Sequence, residues 1–134
     1  MTPFSLRIVT PDGVKYDGQA MEIVVRTTTG DIGIMAGHTN CVAPLGMGEA
    51  MVLLEEKKRY GACIGGMISV MEGVVSVVAT TFEWSDEIDL ARAEASESKA
   101  RDRLIDKSLN STELKMAEAR LRRALVRKGV AGRK

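Results

Sequence analysis

Glycine and proline all but vanish at the middle of this 134-residue chain. Eleven of its thirteen glycines and all three prolines lie before residue 85, and neither residue occurs again until Gly129. A stretch that long without helix breakers can be helical throughout, whereas a segment punctuated this often by turn formers cannot. Charge breaks at the same place: residues 1–84 carry 6 Lys/Arg against 9 Asp/Glu, and residues 85–134 carry 13 against 9. Two architectures therefore share one chain, a β module over residues 1–84 and a helical module over residues 85–134.

Within the first module, β-branched runs such as Ser5 to Thr10, Met21 to Thr28, Gly61 to Met71 and Val74 to Thr81 read as strands. Pro11-Asp12-Gly13, Thr29-Gly30-Asp31, Ala36-Gly37-His38 and Met71-Glu72-Gly73 supply the turns between them. Turns at this spacing suit a sandwich or small barrel; strands joined by helical crossovers would need spacers that are missing before residue 85. Eight to ten short strands are expected. Glu55-Glu56-Lys57-Lys58 reads as an exposed hairpin tip, since no core accepts four charges in a row.

The second module reads as an antiparallel two-helix hairpin, with helices from about Ile88 to Asp106 and from about Ser111 to Lys128. Asp86, Glu87 and Asp89 crowd the first turn, with Ser85 or Asp86 as its cap. Asn110 and Glu113 have capping-box spacing, and Gly129 is expected to stop the second helix. Leu114, Ala117, Leu121, Ala124 and Leu125 form an apolar stripe that can lie against Ala91, Ala95, Ala100, Leu104 and Ile105. Alanines dominate that contact, so few methylenes are buried at about 0.8 kcal/mol each. Such a hairpin is weakly held and can separate, extend or dock on another protein.

Several classes fall away on composition and motif. Aromatics make up 4% of the chain and are scattered, which removes a base-stacking platform. Apolar runs such as Val74 to Ala79 fall far short of the roughly 20 residues of a spanning helix. Met1 to Arg7 has neither an apolar signal core nor an Arg-rich presequence, so a cytoplasmic setting is expected. Cys41 and Cys63 are expected to be free thiols, and one histidine, His38, cannot build a His-rich metal site. No P-loop, nucleophile elbow, zinc-protease or dinucleotide motif is present, and no catalytic residues are assigned.

Four segments in order are recognisable together: Val9-Thr10-Pro11-Asp12-Gly13, Gly30 to His38, Gly65-Gly66, and Ile88-Asp89-Leu90-Ala91-Arg92-Ala93. With the charged, alanine-rich helices that follow, the whole chain resembles the epsilon subunit family of bacterial F-type ATP synthase. It departs from the family pattern at Ala36, at Asn40-Cys41 and at Met67. The resemblance implies a ten-stranded β-sandwich at the foot of the central stalk. That sandwich binds the gamma subunit and rests on the ring of c subunits through the region of Asp31 and His38. It also implies that the helices either fold onto the sandwich or extend into the alpha/beta head and impede ATP hydrolysis. Arg120, Arg122, Arg123, Arg127 and Lys128 would make the inhibitory contact there. From Lys115 onward the chain carries eight Lys/Arg and a single acid, Glu118, a field that suits an acidic partner.

The same resemblance implies ATP as a regulatory ligand at Glu83, Ile88, Asp89, Arg92, Ala93, Lys99, Arg123 and Arg127, with magnesium as a companion for which the sequence shows no dedicated carboxylate cage. Asp89 and Arg92 are three apart and can address one ligand as acceptor and guanidinium fork. Arg123 and Arg127, spaced by four, are expected to project together. An anion bridging arginines of both helices would stabilise the folded hairpin by mass action. Location follows from the assembly, at the cytoplasmic face of the cell membrane and peripheral to it. A different reading makes the helices a free-standing basic coiled coil that binds nucleic acid or another polyanion through residues 120–128.

Overall fold

The computed structural model describes residues 2–133. Eight strands come first: β1 Phe4–Thr10, β2 Gly13–Ala20, β3 Glu22–Thr27, β4 Gly30–Ile34, β5 Cys41–Pro44, β6 Met47–Leu53, β7 Lys58–Met71 and β8 Val74–Trp84. A 3₁₀ turn, Ser85–Glu87, leads into α1, Leu90–Ile105, and α2, Ser111–Ala131. The strands run in the order β2-β1-β8-β7-β6-β3-β4, with β5 added along β7.

Two layers arise because the longest strand turns a corner. Residues 58–64 of β7 pair with β6, whereas residues 67–70 pair with β5. The bend is at Gly65 and Gly66, both at positive φ, where Gly65 N–H bonds to Gly46 O and Leu45 N–H bonds to Gly66 O. A Cβ on Gly66 would stand 1.9 Å from the Val78 carbonyl oxygen, so only glycine makes this corner. β8 crosses the layers alongside β7 and pairs in parallel with β1 through its first half. Eight continuous strands thus supply ten strand segments, five in each layer of a β-sandwich.

Alternation fills the space between the layers. Phe4, Leu6 and Ile8 of β1 point inward while Ser5 and Arg7 point out. Ile23, Val25, Ile68 and Val77 are fully enclosed. Cys63 is buried and its thiol is pushed up to about 12 by that burial. Both cysteines are free. Glu55 to Lys58 are exposed, and the tip is closed by the Leu54 N–H to Lys57 O bond at 2.7 Å.

The helices correct three expectations. Residues 85–87 form a separate 3₁₀ turn, and it is Asp89 that caps α1, accepting from the Arg92 N–H at 3.0 Å. α2 runs through Gly129 to Ala131 and is capped at Gly132, because Val130 is buried and continued packing outweighs the glycine penalty of about 1 kcal/mol. Ala91, Ala95 and Ile105 are exposed; α1 buries Ala100 as expected and Ala93 besides, with Ser96, Glu97 and Leu104 half-buried. Leu114 and Leu125 of α2 are only partly covered, leaving Ala117 and Ala124 as the buried residues of that stripe. The Asn110 and Glu113 box is present, with Glu113 N–H to Asn110 Oδ1 at 2.8 Å.

Candidate functional site

Where β8 ends, four elements meet. The strand delivers Glu83, the 3₁₀ turn and its exit deliver Glu87, Ile88 and Asp89, and α1 and α2 deliver Arg92, Ala93, Ser96, Ala124 and Arg127. Together they line a cavity of about 370 Å³. The turn is held through the Glu87 carboxylate: the Trp84 N–H donates to Glu87 Oε1 at 2.9 Å, and Lys15 of β2 pairs with Glu87 at 3.0 Å. Burial opposes ionisation of Glu87, but the Trp84 N–H and the Lys15 ammonium together hold its carboxyl below the usual range. Trp84 is fixed in turn by its indole N–H to Lys15 O at 3.0 Å and by the Arg59 guanidinium 3.9 Å above its ring.

Six of the eight residues assigned to ATP converge here: Glu83, Ile88, Asp89, Arg92, Ala93 and Arg127. Arg127 Nε pairs with Glu83 Oε1 at 2.6 Å and so ties α2 to β8. Asp89 spends one oxygen on its capping bond, and the Arg92 side chain is exposed at the rim. Arg123, one turn before Arg127 on α2, does not line this cavity; it lines a second one between the helices, of about 590 Å³, with Arg103, Glu113, Met116 and Arg120. Lys99 is exposed and outside both cavities. Glu87, Ser96 and Ala124 are wall residues that sequence reasoning missed. For Ser96 the signal was present, three positions after Ala93 on the same helical face.

The basic residues of α2 divide into two sets. Arg127 pairs with Glu83, and Lys128 pairs with Glu97 at 3.1 Å. Among the described residues Arg120, Arg122 and Arg123 form no ion pair; Arg122 overhangs a groove against the sandwich that also contains Arg26 and Asp31. Asp31 itself is paired with Arg26. His38 is half-buried in the loop after β4, with Nδ1 hydrogen-bonded to the Thr39 carbonyl at 2.8 Å and 3.9 Å from Cys41 Sγ. Among the described residues no cluster of three or more His, Cys, Asp or Glu could hold a metal ion, and no helix is long and apolar enough to cross a membrane.

Comparison with known proteins divides the chain where its architecture changes. Residues 3–85 match the family model of the ATP synthase delta/epsilon chain β-sandwich domain, and residues 86–132 match that of the delta/epsilon chain long α-helix domain. An ATP synthase epsilon chain of Ruminococcus albus is 37% identical across the full length of both chains. The chain belongs to the ATP synthase epsilon chain family. An epsilon chain of Bacillus velezensis is also 37% identical, over 98% of this chain and 99% of that one. Among solved structures, a chain in the OSCP/F1/c-ring portion of the Euglena gracilis mitochondrial ATP synthase superposes with a TM-score of 0.80 at 25% identity. It covers 91% of this chain and 77% of that one. A chain from the central stalk and c ring of the Tetrahymena thermophila enzyme shares the fold, with a TM-score of 0.63 at 11% identity, over 95% of each chain. As an epsilon chain, the protein is a non-catalytic subunit of ATP synthase.

Proposed function

We propose that this chain is the central-stalk rotor subunit that couples gamma to the c ring of a proton-translocating ATP synthase, and that its helices inhibit ATP hydrolysis when they leave the sandwich. In this reading the sandwich binds gamma and meets the ring around Asp31 and His38. The assembly sits at the cytoplasmic face of the membrane, peripheral to it. Full-length similarity to epsilon chains and the fold shared with rotor-complex chains support the assembly. The observation that carries the moving hairpin is its interface, four buried alanines and two ion pairs between the helices. The three arginines of α2 that form no ion pair among the described residues, Arg120, Arg122 and Arg123, are free to meet an acidic surface of the alpha/beta head, joined by Arg127 and Lys128 once their own pairs open.

ATP fits the same reading as a ligand that favours the folded hairpin. The cavity under Glu83 draws on β8, the 3₁₀ turn and both helices, so an occupant touching Arg92 and Arg127 would bridge them. Magnesium is proposed only as a companion of the nucleotide. The basic coiled-coil alternative has less support, because Arg127 and Lys128 are engaged inside the fold.

Removing residues 85–134 tests the brake. Hydrolysis by a complex assembled with the truncated chain should rise above that with the whole chain; an unchanged rate would end the proposal. An ATP titration followed by amide NMR tests the ligand. Saturable shifts in both helices, lost in Asp89→Ala/Arg92→Ala, are expected, and shifts indifferent to those substitutions would refute the site.

A further inference from the structure

The far end of the hairpin, residues 106–110, is only a loop between helices, whereas both near ends return to the sandwich. One is covalent, through residues 85–89. The other is the last turn of α2. Here Val130 is 2% exposed, and Gly132 caps the helix and carries the chain on to Arg133. Arg133 Nε donates to Glu49 Oε2 at 2.9 Å, and its guanidinium carbon lies 5.0 Å from the centre of the Tyr60 ring. Glu49 is on β6 and Tyr60 on β7, and the register pairs Met51 with Tyr60 and Glu49 with Ala62. Glu49 and Tyr60 are therefore diagonal neighbours on one outer face, spaced for a single guanidinium to bond one and stack on the other.

We propose that Glu49, Tyr60, Val130 and Arg133 form a clasp that holds the end of α2 on the sandwich and sets how readily the hairpin is released. The clasp is separate from the nucleotide cavity: none of its four residues lines that cavity. Two anchors thus hold α2 down. The Glu83–Arg127 pair lies where a bound anion would act, while the clasp is built into the chain and needs no ligand. Its regulatory meaning rests on the moving hairpin proposed above, but its existence does not.

Amide hydrogen exchange on the full chain, with β-strand amides as internal control, tests it in Arg133→Ala, Glu49→Gln and the swap Glu49→Arg/Arg133→Glu. The single substitutions should speed exchange in α2 by about three- to five-fold, the range for an exposed pair with stacking, and leave the strands unchanged. The swap should recover part of the protection. Unchanged exchange in α2 in both single variants overturns the clasp. The same variants assembled with the catalytic head should inhibit hydrolysis more strongly. Faster exchange with unaltered hydrolysis would uphold the clasp and refute the brake; altered hydrolysis with unaltered exchange would do the reverse.

Discussion

The sandwich and the hairpin occupy one chain but are held by different forces. Between the sheet layers, Ile8, Ile23, Val25, Ile68 and Val77 are fully enclosed, and each contributes about 1.5–3 kcal/mol by leaving water. Between the helices the buried side chains are alanines, and Ile105 and Met116 remain largely in solvent. What the hairpin lacks in apolar area it supplies as charge pairs: Arg103 with Glu113, Lys128 with Glu97, Arg127 with Glu83 and Arg133 with Glu49. Exposed pairs of this kind are worth under about 1 kcal/mol each and respond to salt, pH and competing ions. A module built this way stays put only while conditions favour it, which suits a regulatory arm on a rigid support.

The sharpest break in that comparison is at the corner of β7. Gly66 sits at φ 107°, and any side chain there would meet the Val78 carbonyl oxygen. Gly66→Ala is expected to cost on the order of 3–5 kcal/mol and to abolish cooperative unfolding of the sandwich, read from the denaturant midpoint. Truncating the core comes next: Ile68→Ala should cost about 2–5 kcal/mol. Cys63 gives a local readout, because its buried thiol should resist labelling at pH 8 until the sandwich opens, and should label sooner in this variant. Helix amides should exchange at unchanged rates.

The hairpin should answer to smaller changes without disturbing its support. Asn110→Ala removes the acceptor for the Glu113 N–H and should cost about 1 kcal/mol, seen as faster exchange in the first turn of α2. The sandwich transition should not move. If it moved equally, the two regions would be one cooperative unit and the contrast would fail.

Much of the sandwich was legible, for reasons that locate what was not. Strands such as β1 and β3 announce themselves by β-branched runs between turn formers, and the charged tip after β6 by its inability to be buried. β2, with Gly13-Val14-Lys15-Tyr16-Asp17-Gly18-Gln19-Ala20, has no such pattern; it is an outer strand held by its ladder with β1. The parallel contact of β1 with β8 joins the first and last strands, a pairing that local pattern cannot display. In the helices, the Asn110 box was legible because a cap is local. The buried face of α1 was not, since Asp89 moved the helix start and alanines on every face look alike. The cavity followed the same rule. Asp89 and Arg92 lay in a recognisable motif and Ser96 follows Ala93 on the same face, while Glu87 and Ala124 enter only through the packing of the turn and the helices, and Arg123 lines a different cavity from Arg127.

Acid separates the two regions without any mutation. Among the described residues the carboxyls held clearly below the usual range are Glu87, Glu97 and Asp106, all in the hairpin or its hinge and none in a strand. Hydrogen bonds from Lys128 and then Arg101 lower Glu97, and the Ser108 hydroxyl and N–H lower Asp106. A lowered native pKa means that the unfolded chain binds the proton more readily, so stability rises with pH through this window. The contribution is complete above the unfolded carboxyl pKa of about 4 and is lost as pH falls through the depressed native values. Below about pH 4 the helical amides should therefore lose protection while the strands, held by apolar burial, keep theirs. Glu97→Gln should flatten the pH dependence in α1 and α2 by removing the bridge to Lys128. If strands and helices lost protection together in acid, charge would not be what distinguishes the arm from its support.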